Sequence, residues 1–137
     1  DLYDDLSEAN RYLAEIQLTR QEHNKALETC QKAIMLANKV GSKINEGAAL
    51  RTLARIHIQR DELFQAKRAV QASYRKLHQI NHCYELARTR LALAEVAWLE
   101  NDKTASRAYL ESARPILEKL QVEPELERLR QAEWANL

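Results

Sequence analysis

A chain of 137 residues with 21 basic and 20 acidic side chains has no net field to draw it onto nucleic acid or an acidic membrane surface. With 45% apolar and 30% charged residues but only two glycines and two prolines, its composition is that of an all-helical protein with few chain breaks and few strand formers. No run of 18 or more apolar residues occurs, and the opening DLYDDLSEAN lacks the regions of a signal peptide, so a soluble, cytoplasmic segment of a longer protein is expected.

Hydrophobic periodicity predicts a first helix over 5–20, with apolar residues at Ala9, Leu13 and Ile16 and a second line through Ala14 and Leu18. A polar step at Gln21-Glu22 and His23-Asn24 then opens a helix over 24–40, whose face runs through 26, 30, 33, 37 and 40. Gly41-Ser42 ends it. The third helix, 44–60, repeats the first pattern at Ala49, Leu53 and Ile56 with Ala54 and Ile58 alongside. Asp61-Glu62 supplies turn and cap before a fourth helix over 64–80 with apolar or small residues at 66, 70, 73, 77 and 80. After Asn81-His82 the fifth helix, 84–100, carries Thr89, Leu93 and Val96 with Ala94 and Trp98. Asn101-Asp102 precedes a sixth over 104–120, in which Pro115 is expected to cause a bend. Pro124 introduces a last helix over 125–136.

These elements recur with a period of 40 residues: Leu13-Ala14, Leu53-Ala54 and Leu93-Ala94 are followed by Ala26, Ala66 and Ser106, then by Ala33, Ser73 and Ala113. Small residues at fixed places let two helices approach to about 8 Å at their crossing. One hairpin cannot bury both its faces, so the hairpins are expected to stack, with repeats at 4–43, 44–83 and 84–123 and a cap or partial repeat at 124–137. The last unit places Glu133 and Trp134 where Leu and Ala stand in the others.

The Leu-Ala pair, repeated three times, with the later steps Ala26 to Cys30, Ala66 to Val70 and Ser106 to Leu110, resembles the tetratricopeptide repeat. The family's Trp slot holds Asn10, Leu50 and Arg90, its Tyr slot Gln17, His57 and Ala97, and its Pro slot Asn38, His78 and Glu118. Without the proline stop the second helix runs on, which accounts for a period of 40 in place of the family's 34. Such lengthened repeats are similar to those of kinesin light chains and of sensor regions in bacterial activators related to the maltose-regulon activator. The resemblance implies an all-α, right-handed superhelix, an α-solenoid of three antiparallel hairpins plus a C-terminal helix. It also implies a concave surface, lined by the first helices, that binds peptides or protein segments.

The family's groove slots fall here on Glu8, Ala48 and Arg88; Arg11, Arg51 and Leu91; Tyr12, Thr52 and Ala92; Glu15, Arg55 and Glu95; and Leu18, Ile58 and Trp98. Arg51 and Arg55 are four apart on one helix, a spacing that costs a few tenths of a kcal/mol between like charges. That pairing fits an anionic partner or an acidic neighbour in the fold; a solvated face balanced by Glu15 and Glu95 is the plainer alternative. Trp98, with Ile58 and Leu18, is either an interface anchor or core between repeats. Arg11 and Arg88 would fill two slots of the family's carboxylate clamp, but Glu15, Thr52 and Ala92 break the pattern. Tyr12 adds a ring at the groove's start.

Nothing in the sequence points to chemistry. His57 occupies the place of Gln17 and Ala97, a semi-buried spacer; His78, His82 and Cys83 lack a fourth ligand for zinc; Cys30 and Cys83 are expected as free thiols. No phosphate loop, nucleophile elbow or His-Glu-x-x-His is present, so neither catalysis nor a cofactor is expected. The expected function is recognition of a protein or peptide segment, acidic or amphipathic, by the concave face through Arg11, Tyr12, Arg51, Arg55, Ile58, Arg88 and Trp98. Direct contact with nucleic acid or membrane is not expected. The alternative is a sensor or oligomerisation domain of a bacterial transcription or signalling regulator, with self-association.

Overall fold

Two kinds of joint, alternating every 20 residues or so, cut the chain into helices. In the computed structural model, residues 1–120 are described together with Glu127 and Arg130, and the described part is helical, with no strand. The helices are α1 (Leu2–Thr19), α2 (His23–Val40), α3 (Lys43–Gln59), α4 (Leu63–Ile80), α5 (Cys83–Leu99) and α6 (Lys103–Leu120). Their bounds fall within one residue of the periodicity in every case but the start of α1. There Asp1 accepts from the Tyr3 amide at 2.7 Å and caps a turn earlier than expected. The expected helix over 125–136 and the cap or partial repeat at 124–137 lie outside the described residues.

The joints inside the pairs place Gln21, Asp61 and Asn101 in the left-handed region, at φ of 61°, 61° and 64°. Those between pairs use Gly41 and Asn81, at φ of 73° and 51°, as helix ends. All five positions recur at the 40-residue period. Ser42 and His82 then start α3 and α5 by accepting from the Asn45 and Glu85 amides. Glu62 departs from expectation: it stands at the start of α4 but its side chain caps nothing, turning back to His57 Nδ1 and Arg60 Nε, each at 3.0 Å. Asp102 does cap, accepting from the Ala105 amide at 3.0 Å. Pro115 stands on the exposed side of α6, which continues through it.

With joints this short, consecutive helices are antiparallel neighbours. The closest packing is within α1 and α2, α3 and α4, and α5 and α6; α2 then packs on α3 and α4 on α5, and the first helices also touch, α1 on α3 and α3 on α5. The nine small residues singled out by the period, Ala14, Ala54, Ala94, Ala26, Ala66, Ser106, Ala33, Ser73 and Ala113, are all fully buried. Side chains this small leave room for helix axes to cross closely.

The apolar interior forms three clusters. One holds Ala14, Leu18, Ala26, Cys30 and Ile56; the next Ala54, Ala66, Val70, Leu93 and Val96; the last Ala87, Leu91, Ala94, Leu110 and Leu117. Leu53 packs against both the first and the second, and Tyr109 against both the second and the third.

Candidate functional site

The face shared by α1, α3 and α5 is a polar network laid over the apolar layer, and it treats the expected groove residues unequally. Arg51, on α3, is buried: its Nη1 donates to Glu85 Oε2 at 2.7 Å, to the Glu85 carbonyl at 3.4 Å and to Thr89 Oγ1 at 3.3 Å, all on α5. Arg88, one turn along α5, approaches the other Glu85 oxygen at 3.5 Å. One carboxylate thus stands between two guanidiniums. Of the readings left open by the Arg51 and Arg55 spacing, a partner, an acidic neighbour or a solvated face, Arg51 has an acidic neighbour in the fold, Glu85.

Burial raises the Glu85 carboxyl, but Arg51, by charge and by hydrogen bond, together with Arg88 and Arg11, more than offsets this and holds it below the ordinary value. Burial, helped by Arg88, pulls Arg51 down to about 10, against the pull of Glu85, so the guanidinium stays charged at neutral pH. Its Nη2 and the Nε of Arg11 are buried without a hydrogen-bond partner. Arg11 is buried too, on α1, with Nη1 3.5 Å from Glu15 Oε1 and its guanidinium 4.4 Å from the centre of the Tyr12 ring. Glu15 in turn accepts from Thr52 Oγ1 at 3.1 Å, tying α1 to α3.

Arg55, Ile58, Arg88 and Trp98 are half-buried and Tyr12 is 51% exposed. Arg55 and Ile58 meet Gln59 and Glu95 around a cleft of about 100 Å³ between α3 and α5. Trp98, one turn beyond Glu95 on α5, does not line this cleft and has Lys103 Nζ 5.5 Å from its ring. A larger opening, of about 390 Å³, lies on a different side, between α4 and α6, where Gln71, Tyr74, Arg75, Leu93 and Tyr109 line it. The expected residues therefore divide into two buried arginines, of which Arg51 joins α3 to α5 while Arg11 is held by Glu15 within α1, and an outer set that reaches the surface.

Several residues that organise this face were not singled out by the repeat. Glu85 is one: its counterparts are Asp5 and Asn45, so the only signal is a polar side chain in each first turn. Glu46 is another, buried between Asn38 at 3.0 Å and Lys76 at 3.1 Å. Cys30 donates to the Ala49 carbonyl at 3.2 Å, and burial, with Glu15 nearby, pushes its thiol up to about 12. Cys83 is exposed and both cysteines are free.

Among the described residues, no three His, Cys, Asp or Glu side chains are grouped so as to hold a metal, and no helix is long and apolar enough to cross a membrane. No protein-family model and no curated protein matches the sequence.

Proposed function

We propose that the chain is a protein-interaction module of tetratricopeptide type, part of a larger protein, whose helices wind into a right-handed superhelix and bind a peptide or protein segment on the face of α1, α3 and α5. The observation that carries this reading is the threefold recurrence of fully buried small residues at equivalent places. It makes each hairpin a copy of the last and sets the first helices side by side as one continuous surface.

On that surface Arg55 and Arg88 supply cationic groups, Ile58 and Trp98 apolar area, and Tyr12 an exposed ring, a mixture suited to an acidic or amphipathic segment. Arg51, through Glu85, and Glu15, through Thr52, contribute by fixing the spacing of the helices that carry those groups. Self-association within a regulatory protein is the second reading, and an apolar stripe left open on α1 supports it.

The test is affinity capture with the 137-residue chain, comparing wild type with a Tyr12→Ala/Arg55→Glu variant. A partner on this face is lost from the variant while helicity by circular dichroism is unchanged. Equal capture by both proteins would sink the reading.

A further inference from the structure

We propose that the trough between α4 and α6, floored by α5, is a second docking site whose occupant is an amphipathic helix of another protein, acidic along the edge of its apolar stripe. Three openings join there along α4: one of about 390 Å³ beside Phe64 and Arg68, one of about 200 Å³ over Val96 and Ala97, and one of about 390 Å³ between Tyr74 and Tyr109. The first two share Lys67, Gln71 and Glu100, and the last two share Gln71, Leu93 and Tyr109. From Phe64 to Arg75 the trough runs about 16 Å, three turns of helix. Its floor and both walls lie within the described helices, on a different side from the α1, α3 and α5 face.

The trough is open because the second junction between hairpins is filled differently from the first. Leu27 and Ile34 of α2 pack on the cluster that holds Ile56 of α3. Their counterparts on α4 are Lys67 and Tyr74, and Lys67 reaches out to Glu100 at 3.0 Å, leaving the space that a leucine would take. Across the trough Tyr109 of α6 stands where α4 has Ala69, so a ring rather than a methyl group lines that side. Phe64, 70% exposed, stands where α2 has Asn24 and α6 has Thr104, a ring that no packing of the repeat calls for.

The sign of the occupant's charge follows from the rim. Arg68 and Arg75 are exposed on α4, seven residues or about 10 Å apart, and neither meets a carboxylate among the described residues. Lys67 and Glu100 neutralise each other, and Asp102, on the facing side, caps α6. Nor does the repeat ask for these arginines, whose counterparts are Glu28 and Met35 on α2 and Ala108 and Pro115 on α6. A helix laid along α4 carries residues seven apart on one face at the same spacing of about 10 Å, so two carboxylates so placed meet both guanidiniums while the stripe beside them enters the trough. There Leu93, Tyr74 and Tyr109 take its apolar side chains, and Phe64 covers the end of the stripe. A basic segment would set like charge against Arg68 and Arg75.

The test is selection, on the labelled 137-residue chain, of a yeast-displayed library of helical peptides of about 15 residues, apolar on one stripe, in which two edge places seven apart vary among Glu, Gln and Lys. Wild type is expected to enrich Glu at both places. An Arg68→Glu/Arg75→Glu chain, with helicity by circular dichroism unchanged, is expected to bind those peptides about tenfold or more weakly and to enrich Lys in their place. Tyr12→Ala/Arg55→Glu, on the α1, α3 and α5 face, is expected to bind them as wild type does. No preference for Glu, the same peptides held equally by wild type and the α4 variant, or loss through Tyr12→Ala/Arg55→Glu would each overturn the proposal. So would a concentration-dependent mass of the chain alone that Phe64→Glu abolishes, since a second copy then fills the trough. Capture on the α1, α3 and α5 face stands or falls separately, because its variant leaves the trough intact.

Discussion

Ser73 donates its hydroxyl to the Gly47 carbonyl at 2.6 Å, and one repeat earlier the same helix crossing is bonded the other way round, from Ser7 to the Ala33 carbonyl at 2.7 Å. Ser7 and Gly47 are equivalent places, as are Ala33 and Ser73, so the hydroxyl has moved from the first helix to the second while the bond is kept. In the third repeat the places hold Ala87 and Ala113, and the crossing is purely apolar.

Gly47 is fixed by that crossing. A Cβ there would stand 2.5 Å from Cγ of the buried Leu77. Gly47→Ala is therefore expected to destabilise by about 1–3 kcal/mol through overpacking. Ser73→Ala, which also removes the 3.1 Å contact with Thr89 Oγ1, costs about 1 kcal/mol. Urea unfolding with an unchanged m-value measures both.

Gly41 has the opposite cause, since nothing lies within 4 Å of its would-be Cβ and only its φ of 73° restrains it. Gly41→Ala is expected to cost about 1 kcal/mol from left-handed strain alone. Gly41→Asn should cost less, because Asn81 adopts the same conformation one repeat on. Thermal melts of the two variants side by side check the order.

Removing one member of the buried pair of Arg51 and Glu85 leaves the other's charge without its partner. Glu85→Leu and Arg51→Met are each expected to lose about 3–5 kcal/mol, whereas the double Arg51→Met/Glu85→Leu, which removes both charges and keeps the volume, loses much less than the sum. Chemical denaturation of the four proteins closes the cycle.

The same pair sets an acid limit. Because the Glu85 carboxyl is held below its ordinary 4.5 when folded, the folded state binds fewer protons than the unfolded one between the two values. Its contribution is thus complete above 4.5 and lost as the pH falls through the lowered folded value. Stability measured from pH 7 down to about pH 3 should fall less steeply in Glu85→Gln than in wild type.

The two thiols should separate cleanly. At pH 8 a thiol reagent is expected to modify the exposed Cys83 quickly and the buried Cys30 only on unfolding, since the thiolate is the reactive form and Cys30 resists forming it. Mass spectrometry before and after denaturant counts the adducts.

Local rules carried much of this structure into the sequence. Helix spacing, the buried small residues and the places of the joints follow from a period that each repeat states again, and positions such as Ala54 and Ala66 are legible because a larger side chain would part the helices. Which long side chains turn inward is set by pairings that the period does not repeat. Arg51 finds Glu85 34 residues on, while its counterpart Arg11 has Asn45 at that distance and turns to Glu15 instead. Glu62 likewise stands in a cap position, but His57 and Arg60 offer its carboxylate a better partner than the amides ahead of it. Such choices depend on tertiary neighbours, and so the outer residues of the face could be placed only with the helices in position.

Leu53 and Tyr109 are the side chains through which the three apolar clusters meet. In a linear array the stability of each unit is shared with its neighbours only across such junctions, so these two side chains, with Ile56, Leu93 and Val96 that cross the same boundaries, decide whether the described helices melt as one body or in sections. Loosening Leu53 would leave the first hairpin able to open while the other two hold. Amide exchange would then split into an early and a late class at the α2 and α3 boundary, turning a single cooperative unit into a chain of separable segments.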